Sequence, residues 1–119
     1  MKSLMNKKRL KRENQAHAGT GGRSETNAGL GFAPAFLDFA TFTIHPSRFA
    51  DGRPAPFHVL DGLPEEAVVM RAPCGRVVAA KATLISGFVR GGFFYTRAAA
   101  ARMVREWDST LPEDLSRLI

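Results

Sequence analysis

Two adjacent glycines constrain this chain more than any other feature. Gly91-Gly92 separate Leu84–Val89 from Phe93-Phe94-Tyr95, two apolar stretches suited to strands. A two-residue primed turn needs positive φ at both central positions, which glycine adopts without strain. The second stretch runs into Thr96, a natural N-cap, and then Ala98-Ala99-Ala100-Ala101, the best helix former in series. At 100° per residue Ala100, Met103, Val104 and Trp107 fall within an arc of about 100°, a single buried stripe. Arg97, Arg102 and Arg105 are expected on the opposite, solvent side.

The remaining elements follow from short apolar runs and their breakers. Phe36 to His45 is aromatic and β-branched, with Phe42 and Ile44 alternating with Thr41, Thr43 and His45. Leu37 and Phe39 fall on the other face, so a bend near Asp38–Thr41 is expected. Asp51-Gly52 reads as a turn, and Arg53-Pro54-Ala55-Pro56 as an extended connector. Phe57–Leu60 reads as a short strand. Ala67–Arg71 and Arg76–Ala80 flank Pro73-Cys74-Gly75 as a hairpin, although Pro64-Glu65-Glu66 is also a helix-start signal. Thr110 and Glu113 have capping-box spacing for a terminal helix over 111–118, with Leu111, Leu115 and Leu118 on one face. Strands first and helices last predict an α+β domain. A small antiparallel sheet over about 36–95 is covered by helix 97–107.

Charge divides the chain differently. Of 119 residues with a formal charge of +6, positions 1–34 hold seven basic and two acidic residues, and positions 35–119 hold ten and nine. Glu13 to Gly31 is built of Gly, Ser, Thr, Asn, Gln, Ala and charge, too little apolar surface to offset ordering. Residues 1–34 are therefore expected to be a disordered basic arm with a Gly-rich linker at Gly19–Ser24. The single domain is expected over 35–119. The basic start is not followed by an apolar stretch of about 7–15 residues, so a cytoplasmic location is expected. The longest apolar runs are about four residues, so no membrane span is expected.

The inventory of chemistry is thin. His17, His45, His58 and Cys74 have no metal-ligand spacing, and no metal or cofactor is expected. Cys74 sits in a hairpin loop near Arg71 and Arg76, which reads as a surface thiol rather than an activated nucleophile. Ser86-Gly87 lacks the nucleophile-elbow pattern. Gly19-Thr20-Gly21-Gly22 lacks the Lys-Ser/Thr of a phosphate-binding loop. No catalytic motif emerges, and the chain is expected not to be an enzyme.

What stands out is Lys7, Lys8, Arg9, Lys11 and Arg12, five cations in six positions. Such a cluster neutralises phosphates and releases counterions. If all six basic residues of positions 2–12 took part, the log–log salt slope would be about −5. An arm gives affinity without sequence specificity. Arg90, Phe94, Arg97, Arg102 and Arg105 form a second candidate surface, because aromatics beside arginine stack on single-stranded bases. Alternate residues of Phe93-Phe94-Tyr95 point to opposite faces, which singles out Phe94.

The stretch Ser86-Gly87-Phe88-Val89-Arg90-Gly91-Gly92-Phe93-Phe94-Tyr95-Thr96-Arg97, running into the alanines, resembles a segment of small uncharacterised bacterial proteins, some of them associated with plasmids or conjugative elements. The resemblance covers about a third of the chain and implies no activity. The expected function is a non-enzymatic interaction module contacting nucleic acid through its basic N-terminus. The alternative is a protein-only adaptor using an exposed aromatic patch or the C-terminal leucines. A small enzyme is the remote alternative.

Overall fold

The computed structural model describes residues 4–118, with side chains described for residues 4–107. Its architecture is α+β. The strands are β1 (Ala33–Asp38), β2 (Thr43–Pro46), β3 (Val68–Arg71), β4 (Val77–Ala80), β5 (Leu84–Arg90) and β6 (Phe93–Thr96). A four-stranded antiparallel sheet has the order β2-β1-β5-β6, and a separate hairpin pairs β3 with β4. The helices are α1 (Lys7–Ala16), α2 (Ser24–Asn27) and α3 (Arg97–Leu118).

The register explains which residues form the core. Pro34, Phe36 and Asp38 of β1 pair with Phe88, Ser86 and Leu84 of β5. All six are buried and share one face of the sheet. α1 and α3 both pack on that face. Leu10 of α1 joins Met5, Phe36, Leu60, Leu63, Val77 and Leu84 in one cluster. Ala100 and Val104 of α3 join Phe32 and Phe88 in the other, flanked by Tyr95, Met103 and Trp107. The opposite face carries Leu37, Ile44, Ile85, Val89 and Phe94, none of them fully buried.

Both hairpins form where the sequence places them. Gly91 and Gly92 take φ of 59° and 84°, as the primed turn requires. The stretch 36–45 folds back on itself at residues 39–42, so β1 and β2 are two strands of one hairpin. Phe42 is not a strand residue. It occupies the turn with φ of 55° and is 83% exposed. Glu65–Ala67 forms one 3-10 turn before β3, so the acidic start signal and the strand are both realised. Thr96 caps α3, accepting a hydrogen bond from the Ala99 N–H at 3.1 Å.

Three expectations are corrected. Phe57–Leu60 is not a strand. Its backbone is satisfied instead by the Ser47 hydroxyl, which donates to the Phe57 carbonyl at 2.8 Å and accepts from the Val59 N–H at 2.9 Å. The terminal helix over 111–118 is not separate, because α3 continues through it. A helix already nucleated by four alanines carries on through Asp108, Ser109 and Thr110, which are only modestly poor helix formers, and past Pro112, which has no N–H to give to the helix. The side chains of Leu111, Leu115 and Leu118 lie outside the described residues.

The largest correction concerns the arm. Residues 7–16 are helical, capped by the Asn6 side chain, which accepts from the Arg9 N–H at 2.8 Å. Met5 is fully buried and exchanges two backbone hydrogen bonds with Ala80, at 3.1 and 2.8 Å. Two apolar anchors, Met5 and Leu10, suffice because each enters a core built elsewhere. The presumed linker is also packed. Gly21 and Gly22 are buried against α3, where a Cβ would overlap the Val104 side chain or the Arg97 carbonyl. Glycine is needed here for close approach and not for flexibility.

Candidate nucleic-acid interface

Helical geometry sorts the basic cluster into two groups. On a wheel of 100° per residue, Lys7, Lys8, Lys11, Arg12 and Gln15 span an arc of about 140°. All five are exposed. Arg9, Leu10, Glu13 and Asn14 occupy the remaining arc and turn toward the sheet. Arg9 pairs with Glu13 at 3.1 Å and donates to the Leu84 carbonyl at 3.2 Å. Four of the five sequence-predicted cations therefore form one solvent face, and Arg9 is a structural contact. Among the described residues, no carboxylate lies within 4.0 Å of the four exposed ones.

Beneath this face lies a buried polar cluster that sequence reasoning missed. Its centre is Arg97, the first residue of α3, only 4% exposed. Arg97 donates to Ser86 Oγ at 2.8 Å, Asn14 Oδ1 at 2.7 Å, the Gly22 carbonyl at 3.1 Å and His58 Nδ1 at 3.0 Å. Its guanidinium is 4.0 Å from the Glu13 carboxylate, and Ser86 donates a short hydrogen bond to that same carboxylate. The planar fork suits this many acceptors at once, where an ammonium would not. Burial pushes the Arg97 pKa down, with Glu13 opposing that shift and Arg23 adding to it. A guanidinium is not deprotonated in proteins, so the group remains a cation.

Arg97 fixes the tautomer of His58. Nδ1 accepts from Arg97, so Nε2 carries the proton and donates to the Gly87 carbonyl at 2.7 Å. The ring sits between Phe36 and Phe88, 5.3 and 5.2 Å away and edge-on to both. It joins the two apolar clusters. Burial first, and then the Arg97 charge, lower the His58 pKa to about 4. The residue is therefore a neutral core histidine.

This cluster links α1, the Gly21-Gly22 loop, the 57–59 segment, β5 and α3. It holds the basic face of α1 at a fixed angle to the sheet. Arg97 is thus a correction to the expected surface role. The signal was available in the sequence. Arg97 and Val104 are seven residues apart, about 20° on the helix wheel, so they share the buried side. Arg102 and Arg105 are exposed as expected. Arg90 is also a packing residue, with its guanidinium 4.7 Å from the Trp107 ring centre and 5.7 Å from that of Phe32. It donates to the Leu30 carbonyl at 2.9 Å. Phe94 lies half-buried over Gly87 on the outer sheet face, whereas Phe93, at the turn, is 70% exposed.

Beside α1 the surface is concave. One open hollow of about 350 Å3 is lined by Lys7, Lys11, Asn14, Arg23 and His58, among others. A second, of about 460 Å3, shares Asn14 and Arg23 and reaches Pro56 and Phe57. Among the described residues, no three His, Cys, Asp or Glu side chains converge as metal ligands would. No helix among them is long and apolar enough to cross a membrane. Comparison with protein-family models, curated proteins and solved structures finds no match.

Proposed function

We propose that the protein is a non-enzymatic interaction module that contacts nucleic-acid phosphates through the solvent face of α1. The observation that carries this reading is the segregation of Lys7, Lys8, Lys11 and Arg12 on one exposed helix face. Arg97 and its partners fix that face from below. A rigid array loses less conformational entropy on binding than a floppy arm does. Contact with phosphates alone gives affinity without sequence preference.

The test is salt-dependent binding of a labelled duplex, followed by fluorescence anisotropy. Four phosphate contacts give a log–log slope of about −3.6, a loss on the order of 100-fold between 50 and 200 mM salt. Changing Lys7, Lys8, Lys11 and Arg12 together to Gln should flatten the slope toward zero. These side chains are exposed, so the fold should survive, which circular dichroism would check. Deleting residues 1–12 is not a suitable control, because it removes Met5 and Leu10 from the core. A slope unchanged in the Gln variant would sink the proposal.

A second reading is a protein-only adaptor. The observation favouring it is the outer sheet face of Leu37, Ile44, Ile85, Val89 and Phe94, which stays partly open to solvent. Self-association that persists in the Gln variant and is lost in Phe94→Lys would support it.

A further inference from the structure

We infer that the groove beside α1 takes a single-stranded nucleic-acid segment, with phosphates on Lys7, Lys11 and Arg23 and one base stacked on Phe57. The inference rests on the phosphate-contacting role of α1 and adds a strand type and a second contact surface to it. The two hollows share Asn14 and Arg23 and adjoin across those side chains, a surface path that a flexible strand can follow. Its first half is cationic and its far end is aromatic. This combination of charge and ring binds unpaired nucleotides whatever their sequence.

Phe57 is built for the purpose in two respects. It is 50% exposed, a costly position for a large apolar side chain. It is also held in place. Phe49 packs edge-on against its ring, with centres 5.9 Å apart and planes at 81°, and its carbonyl is tied to Ser47. The ring therefore offers a fixed surface at little entropic cost on binding.

The path carries one carboxylate, Glu25, beside its cations and its amide donor. Asn14 Oδ1 is committed to Arg97, so Asn14 has only its Nδ2 donor to offer. Arg23 is paired with Glu25 at 2.6 Å, but Glu25 is two-thirds exposed. Surface pairs of this kind are weak and screened by salt, so a phosphate can compete for Arg23. A duplex would engage the convex face of α1, yet its stacked bases could not reach Phe57.

The experiment compares a labelled oligothymidylate of about ten nucleotides with a labelled hairpin duplex, by anisotropy at low salt. Phe57→Leu keeps apolar bulk and removes the ring. It should weaken single-strand binding about ten-fold and change duplex binding less than about two-fold. Phe57→Trp should retain or strengthen single-strand binding, and its indole fluorescence should be quenched on binding. Arg23→Gln should weaken the single strand more than the duplex. Equal losses for both polymers in Phe57→Leu, or no loss, would overturn this inference and leave the α1 proposal intact. If the wild-type protein bound neither polymer, the α1 proposal would fail first and the groove with it.

Discussion

Acid should unfold this protein through His58, and the size of the effect can be worked out. The ring is buried between Phe36 and Phe88, and both nitrogens are committed, so the folded state keeps it neutral. Its pKa is lowered from 6.5 to about 4 when folded. As pH falls below 6.5, the unfolded chain takes up a proton that the folded chain refuses. The stabilisation is therefore present above the unfolded value and is lost as pH falls toward the folded one. Within that window each pH unit removes about 1.4 kcal/mol, so the change from pH 7 to pH 5 removes about 2 kcal/mol. Asp38, held low chiefly by its hydrogen bond to Lys81, adds its own loss only below about pH 4. The assay is urea unfolding at pH 7, 6 and 5 at constant ionic strength, for wild type and His58→Gln. Glutamine can donate to Gly87 and accept from Arg97 but does not titrate. Whatever the starting stability of the variant, its loss between pH 7 and pH 5 should be smaller by about 2 kcal/mol. Equal losses in the two proteins would refute the reasoning, because His17 and His45 are present in both.

Arg97→Lys keeps the charge but cannot reach Ser86, Asn14, Gly22 and His58 together. It should cost about 2–3 kcal/mol in urea unfolding, and an unchanged midpoint would show that the cluster contributes little. Phe42→Gly should raise stability by about 1 kcal/mol, because the residue sits at positive φ and is mostly exposed. A lower thermal midpoint would mean that the Phe42 ring makes a contact worth more than the strain.

Much of the sheet could be read from the sequence because its signals are local. Gly91-Gly92 names its own turn, and Thr96 followed by four alanines names its own helix. The strand pairs on either side of them needed no long-range information. The failures at α1 and Phe57–Leu60 share a cause. Each takes its structure from distant partners, Met5 and Leu10 from the core and residues 57–59 from the Ser47 hydroxyl. Composition alone made residues 1–34 look disordered, since two apolar anchors barely alter an average. The Asn6 cap and the Arg9–Glu13 spacing were the readable hints of α1. The basic cluster was visible at once, but its division into an exposed face and a buried side needed the helix. The Arg97 cluster was least legible. It joins residues from five separate segments, and no spacing in the chain records that they meet.

The bridge between Met5 and Ala80 has a consequence for how the chain folds. α1 is synthesised long before the strands it packs against, and Arg9 bonds to the Leu84 carbonyl across 75 positions. Closing so long a loop is slow and comes after the local hairpins have formed. Until then the cationic helix sequence is an unfolded polycation beside a growing chain. Docking of α1 is thus a late step, and with it Met5 pairs the backbone of Ala80, the end of a β4 edge that would otherwise be open to another molecule.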